Sequence, residues 1–428
     1  MKQLIIILAF VAGSLFSFSQ GIDAIINKKE VLRIENILAS DDMQGRKTGT
    51  PGNEKAALFI AEEFKKAGLK PLSAADGYLQ KFVMVQTKVR SSNIVLNGNK
   101  LDADRLIAVT PKRMLQVNEK TGYEIVHINA GDNLIDKATS ALQSGNKIVF
   151  VDSSFGKKRF KVLNYFKKQL FANAPDVLFV LATQPVDSYL LEVVQEIDEL
   201  PARNVVGILP GKSKKDEYVI FSGHFDHLGI TDKPVNGDSV YNGANDDAAG
   251  TTAVIMLANY FKALKNNERT IVFAAFTAEE IGGFGSQYFS RQFDAAKVAA
   301  MFNIEMIGTE SKWGKNSAYI TGYEKTDMGK ILEKNLAGSA FAFHPDPYTD
   351  QQLFYRSDNA TLARLGVPAH TISTSKMDSE ANYHQLSDEV ATLDLDNMTE
   401  IIKAIAISSA SIVNGKDSPT RVNTADLK

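Results

Sequence analysis

From Tyr218 onward the chain alternates two textures, and that alternation limits what it can fold into. Tyr218 to Ser222, Thr270 to Phe276, Met301 to Ile307 and Val367 to Ile372 are short runs rich in β-branched and aromatic residues. Between and after them come stretches of helical period: Ala253, Leu257, Tyr260, Phe261 and Leu264 share one face, as do Met398, Ile401, Ile402 and Ile405. Strands and helices in strict alternation predict an α/β domain with a mostly parallel, mixed sheet covered by helices on both faces. No internal repeat or low-complexity tract breaks the pattern.

Upstream, Asn27 to Leu38 reads as a helix, and a Gly/Thr-rich turn follows from Gly45 to Gly52. A second helix is expected from about Asn53, with Ala57, Ile60, Ala61 and Phe64 on one face and Gly68 at its end. From Val89 to Leu209 short β-type runs (Asn93 to Leu96, Lys147 to Val151, Val177 to Leu181) alternate with turns and one helical stretch around Tyr165 to Phe171. This predicts a small α+β domain, 89–209, inserted into a catalytic domain made of 20–88 and 210–415, with 416–428 as a tail. The competing reading is that 89–209 simply continues the main sheet.

Lys2 followed by an apolar run from Leu4 to Phe18 is too short for the roughly 20 residues of a membrane-spanning helix. It fits a secretory signal peptide over 1–19, which makes the mature chain exported, to the periplasm or the extracellular space, with no membrane partner after cleavage. An uncleaved anchor is the alternative. The chain has no cysteine, which excludes disulfides, thiolate metal ligands, a Cys nucleophile and a lipid-modified N-terminus. With 48 basic and 50 acidic residues, it has no cationic surplus to neutralise phosphates, so a nucleic-acid partner is not expected.

In open α/β sheets ligands gather beyond the carboxyl ends of the strands. Here those ends carry Gly223-His224-Phe225-Asp226-His227, then Asn242 to Gly250 with Asp246 and Asp247, then Thr277-Ala278-Glu279-Glu280 with a glycine-rich turn, then Asn303-Ile304-Glu305, and finally Asn382-Tyr383-His384. Asp246, Asp247, Glu279, Glu280 and Glu305 converging on one rim cannot all stay ionised unless cations neutralise them. Oxygen and imidazole donors without sulfur suit zinc, with manganese or cobalt behind it. Two histidines and three carboxylates suffice for two metals if one carboxylate bridges.

These motifs resemble those of the co-catalytic zinc peptidases of the leucyl aminopeptidase and aminopeptidase Y type, relatives of glutamate carboxypeptidase. The likeness covers the helix after the Gly-Thr-Pro-Gly turn and nearly everything from Tyr218 to about Val413, while 89–209 resembles the protease-associated insertion of that family only in outline. Ligand positions His224, Asp246, Glu280, Glu305 and His384 follow the family order at separations of 22, 34, 25 and 79 residues.

The resemblance implies two divalent ions, zinc first, peptide substrates and a hydrolytic reaction. His224 and Glu305 would hold the first metal, Asp246 would bridge, and Glu280 and His384 would complete the second. Glu279 would be the general base, and Asp226 would orient the ring of His224 through its carboxylate. The family usually has Asp where Glu305 stands. His127, His344 and His370 are expected to be structural, His227 to line the site, Asp247 to cap or support, and Asp388 to orient His384 or to face solvent. Tyr355 is expected to pack, with an oxyanion contact as its sharper alternative. An aminopeptidase is the leading reading; a carboxypeptidase or dipeptidase, a one-zinc glutaminyl cyclase and a non-catalytic receptor-like module are its competitors.

Overall fold

The structure is a computed structural model that describes residues 21–183 and 186–427. The expected signal peptide lies outside the described residues. The chain forms two compact units, a larger one that ends its first segment at Lys81 and resumes at Ala202, and a smaller one, Phe82–Pro201. Both boundaries precede the expected ones, after 88 and 209. The chain leaves and re-enters the larger unit inside two continuous strands, Leu79–Leu96 and Tyr189–Leu209, so no linker marks the crossing.

In the larger unit the strands lie in the order Ala342–Pro345, Ser317–Ile320, Ala369–Ser373, Val298–Ile304, Lys214–His224, Arg269–Phe276 and the end of Tyr189–Leu209. The central four run parallel. Ser317–Ile320 and the last strand pair antiparallel with their inner neighbours, which makes the sheet mixed. Alternate residues serve two cores, as a parallel sheet covered on both faces requires. Val219, Phe221, Ile271, Phe273, Ala300 and Phe302 face one side, under helices Lys28–Leu38, Pro51–Lys66, Ala249–Leu264 and Leu395–Ser408. Ile220, Val272, Ala274 and Met301 face the other, with Phe289, Leu362 and Ala363.

Local signals set the helix starts. Asn27 accepts from the Glu30 N–H at 3.1 Å, and Thr50 caps the next helix with Pro51 at its first position. That helix therefore begins two residues before the expected Asn53. The third strand stops at Ile304 rather than running to Ile307, because Met306 turns left-handed at φ 53°. Glu305 sits just past the strand's end, its N–H still donating to the Ile372 carbonyl at 3.1 Å.

The smaller unit has a four-stranded sheet ordered Leu106–Val109, Val177–Leu181, Lys147–Val151, Glu124–Ile128. Its first pair is antiparallel and the others parallel, with helix Leu134–Ala141 packed alongside. The helical stretch expected around Tyr165 to Phe171 is instead a 3-10 segment, Lys161–Lys167, followed by the short strand Leu170–Phe171. Residues 416–427 are no loose tail: Arg421 donates to the carbonyls of Val298 at 2.7 Å and Ala295 at 2.9 Å. Among the described residues no helix is long and apolar enough to cross a membrane.

Phe221 is fully buried and stacks on Phe261, Phe273 and Phe302 at 5.4, 5.8 and 4.9 Å. Phe221→Ala is expected to cost about 3–5 kcal/mol in equilibrium urea unfolding, because the ring's neighbours cannot collapse onto the void. A loss below about 1 kcal/mol, the scale of an ordinary surface change, would contradict this placement.

Candidate metal centre

The parallel strands deliver their carboxyl ends to one place. His224 is the last residue of its strand and is buried. Its Nδ1 lies 3.1 Å from the Asp226 carbonyl oxygen, which leaves Nε2 pointing at Asp246, 3.2 Å from Oδ1. The other oxygen of Asp246 faces His384 Nε2 at 3.2 Å. Glu280 completes that side, with Oε2 3.1 Å from His384 Nε2. Glu305 closes the first side: one donor atom each of His224, Asp246 and Glu305 lies within 4.8 Å of the others. Asp246 therefore stands between two groups of donors, and the five ligand positions read from the sequence share one cup.

Several donor atoms in the cup are buried and have no hydrogen-bond partner, among them His224 Nε2, Asp246 Oδ2 and Glu305 Oε2. Orphaned acceptors this close together are costly unless a cation joins them. The charge balance points the same way. Burial and the carboxylates of Asp246 and Asp358 push Glu305 up to about 7. Burial, with Glu305, Asp358 and Glu280 nearby, holds Glu279 well above the usual carboxylate range. The carboxylates of Asp246 and Glu280 close beside it push His384 up to about 10. Carboxylates that resist ionising, beside an imidazole that takes up a proton, mark a rim dense in negative charge. This set of imidazole and carboxylate donors is one that zinc accepts.

Other carboxylates of the rim hold backbone rather than offer free oxygens. Asp247 accepts from the N–H groups of His224 at 3.1 Å, Gly250 at 2.9 Å and Met306 at 3.0 Å, so it caps the following helix and ties three loops together. The Asp246–Asp247 peptide is cis. Asp388 is buried and accepts from the N–H groups of Asn245 at 2.8 Å and Asp246 at 3.0 Å. It neither orients His384 nor faces solvent, so both expectations for it give way. Asp226 also departs from expectation. Its carboxylate is 3.7 Å from His224 Nδ1 and is occupied instead by the Glu279 N–H at 3.1 Å and the Thr48 hydroxyl at 3.0 Å. The ring is steadied by the carbonyl of Asp226, while its side chain positions the backbone of Glu279.

Glu279 and Glu280 sit on a turn that needs its glycines. Ala278 is left-handed at φ 60°, and the N–H groups of Gly282 and Gly283 fold back on the Glu279 carbonyl at 2.9 and 3.0 Å. A side chain at Gly285 would meet the Thr277 carbonyl oxygen at 2.1 Å. Beside the Asp247 carboxylate, a side chain at Gly250 would meet the Ile304 carbonyl oxygen at 2.1 Å, so only glycine lets this helix start so close to the strand.

His227, expected to line the site, lies deep within it. Its Nδ1 is 2.7 Å from Glu280 Oε1 and 3.9 Å from Asp246 Oδ2, a third imidazole on the second side. The signal was its position three residues past His224 at the end of the same strand. Tyr383 was also missed: its ring stacks on His384 at 4.0 Å, and it lines a small pocket with Glu305, Tyr319, Leu353 and Arg356. Tyr355 packs against Phe354 and beneath Arg364. His344 stacks on Trp313, His127 on Phe150, and His370 is buried between Thr326 and the Thr321 carbonyl, pushed down to about 4 by burial.

Residues 204–408 match the model of peptidase family M28. A probable zinc metalloprotease of Pyrenophora teres f. teres is 27% identical over 246 residues, 51% of this chain and 50% of the relative. Aminopeptidase Y of Saccharomyces cerevisiae is 26% identical over 211 residues, 46% of this chain and 39% of its own length. The chain thus spans half or less of the curated relatives it matches. An aminopeptidase from Aneurinibacillus sp. strain AM-1 superposes with a TM-score of 0.54 at 16% identity, covering 92% of this chain and 95% of that one. That likeness shows the fold, a zinc-aminopeptidase-type α/β sheet. The resemblance carried by the motifs is matched by the family model over the segment that supplies all five ligand positions.

Glu305→Ala is expected to lower the metal content of the purified protein from two ions per chain to one, because it removes a donor from the first side alone. Unchanged content by elemental analysis would take Glu305 out of the ligand set.

Proposed function

We propose that this protein is an exported, zinc-dependent metallopeptidase that removes N-terminal residues from peptides. The observation that carries this reading is the placement of Asp246, with His224 and Glu305 on one side and Glu280 and His384 on the other. Two divalent ions held there would polarise a scissile carbonyl and lower the pKa of a water toward neutrality.

The chain's own residues supply the rest. Glu279 follows the same strand as Glu280 but has none of the imidazole contacts that engage Glu280, so its carboxylate is free to take the attacking water's proton and hand it to the departing amine. Asp226 fixes the start of this residue through the Glu279 N–H. Tyr383 and Arg356, on the wall of the adjoining pocket, face the incoming substrate.

Export is supported by the basic and then apolar N-terminal run. The smaller unit, mixed in its strand directions, is read as a protease-associated-like insertion. Peptides are the proposed partners, with neither nucleic acid nor membrane among them.

The test uses protein recovered from the exported fraction, with paired aminoacyl substrates that differ only in a blocked amine. Chelator-sensitive cleavage of the free-amine series alone is expected, with Glu279→Gln losing about 10²–10⁴-fold in rate while both metals stay bound. Cleavage of the blocked series instead would make it a carboxypeptidase or endopeptidase, and full activity in Glu279→Gln would remove the general base from this scheme.

A further inference from the structure

The Gly/Thr-rich turn from Gly45 to Gly52 lies far upstream of the ligand loops in sequence and outside the stretch that matches the family model. In the structure its Gly45, Arg46 and Thr48 are buried among them, while Lys47, Gly49 and Pro51 are exposed. Arg46 is fully buried, in the left-handed region at φ 51°. Its guanidinium donates only to backbone carbonyls: Nε to Phe225 at 2.7 Å, Nη1 to Leu38 at 2.7 Å and Asn242 at 2.5 Å, and Nη2 to Gly243 at 2.8 Å. Phe225 directly follows His224, and Asn242 and Gly243 directly precede the segment that carries Asp246. One side chain therefore grips the loops that follow His224 and precede Asp246, two of the three segments on the first side of the cup.

Thr48, two residues on, grips a third. Its hydroxyl donates to Asp226 Oδ2 at 3.0 Å and accepts from the Ala278 N–H at 3.1 Å, at the base of the turn that bears Glu279 and Glu280. Asn53 ties the two grips together, donating to the Arg46 carbonyl at 2.9 Å and the Thr277 hydroxyl at 3.1 Å. The turn can lie this close because Gly45 has no side chain: a Cβ there would meet the Gly229 carbonyl oxygen at 2.4 Å.

The physical need for such a brace is plain. Before metal binds, the cup's carboxylates repel one another, and loops carrying them would spread. A buried cation whose charge is offset by Glu35, Asp388, Asp226 and Asp246 opposes that spreading. Its fork of five donors also fixes three separate backbone segments at once, which a point-like ammonium cannot do. We propose that the turn Gly45–Gly52 is a strap that presets the metal-ligand geometry: Arg46 fixes the spacing of the His224 and Asp246 loops, and Thr48 fixes Asp226 and the root of the Glu279 loop. Both are positioning residues, and the proposal rests on the two-metal reading of the cup. A segment outside the matched peptidase region is thus part of the site.

The experiment compares the full chain with Arg46→Lys and Thr48→Val. Zinc dissociation constants are read by competition with a chromogenic chelator, and unfolding temperatures are read in excess chelator. Arg46→Lys is expected to weaken zinc by about 10–100-fold, the usual range for losing a group that orients ligands. Thr48→Val keeps the side-chain volume and is expected to weaken zinc in the same direction by less. It carries the test if the lysine variant does not fold. Variants that bind two zinc ions as tightly as the wild type overturn the strap, including where their metal-free form melts earlier, since that is a brace for the fold alone. A wild type that binds no zinc overturns the two-metal reading instead, and the parallel measurement tells the two failures apart.

Discussion

Everything at the active rim follows from crowding negative charge onto one end of one sheet. Parallel strands send their carboxyl ends to the same side, and here those ends carry acidic side chains and imidazoles within a few ångströms of each other. Such a cluster is unfavourable unless each oxygen has a donor or a cation. The structure divides the carboxylates accordingly. Asp226, Asp247 and Asp388 are occupied by backbone N–H groups and so set loop geometry. Asp246 and Glu305 keep an oxygen free of any hydrogen bond inside the cup. The acids that hold backbone amides thus differ from Asp246 and Glu305, which hold none, and from Glu280, whose two oxygens face His227 and His384.

Much of the fold was legible because a two-faced parallel sheet writes itself as unbroken apolar runs. Thr270 to Phe276 could be read directly, and it feeds both cores residue by residue. The end of the next strand was harder, since Ile307 is as apolar as Ile304 and only the left-handed turn at Met306 ends the pairing. Domain boundaries escaped for a related reason: strand texture does not change where a strand passes from one unit to the next.

The metal-ligating chemistry was legible as residue types at strand ends, but its supports were not. His227 reaches Glu280 only because the chain curls back after Asp226, a turn that no periodicity announces. Asp388 is four residues past His384, yet it reaches back across the fold to the amides of Asn245 and Asp246. The strap around Arg46 read as an ordinary turn, because its partners are main-chain carbonyls nearly two hundred residues away, and carbonyls carry no signature in sequence. Side chains that bind metals must be particular residue types, whereas backbone groups that hold loops can belong to any residue. The first kind is readable in sequence, and the second needs coordinates.

The most direct measurement is anomalous X-ray scattering at the zinc edge from crystals of the full chain grown with zinc. Two peaks about 3.5–4 Å apart, the spacing of a two-metal hydrolytic site, with the Asp246 carboxylate between them, are the expected result. A single peak, or peaks that leave Asp246 unbridged, would contradict the view that this rim of acids is organised around a pair of cations.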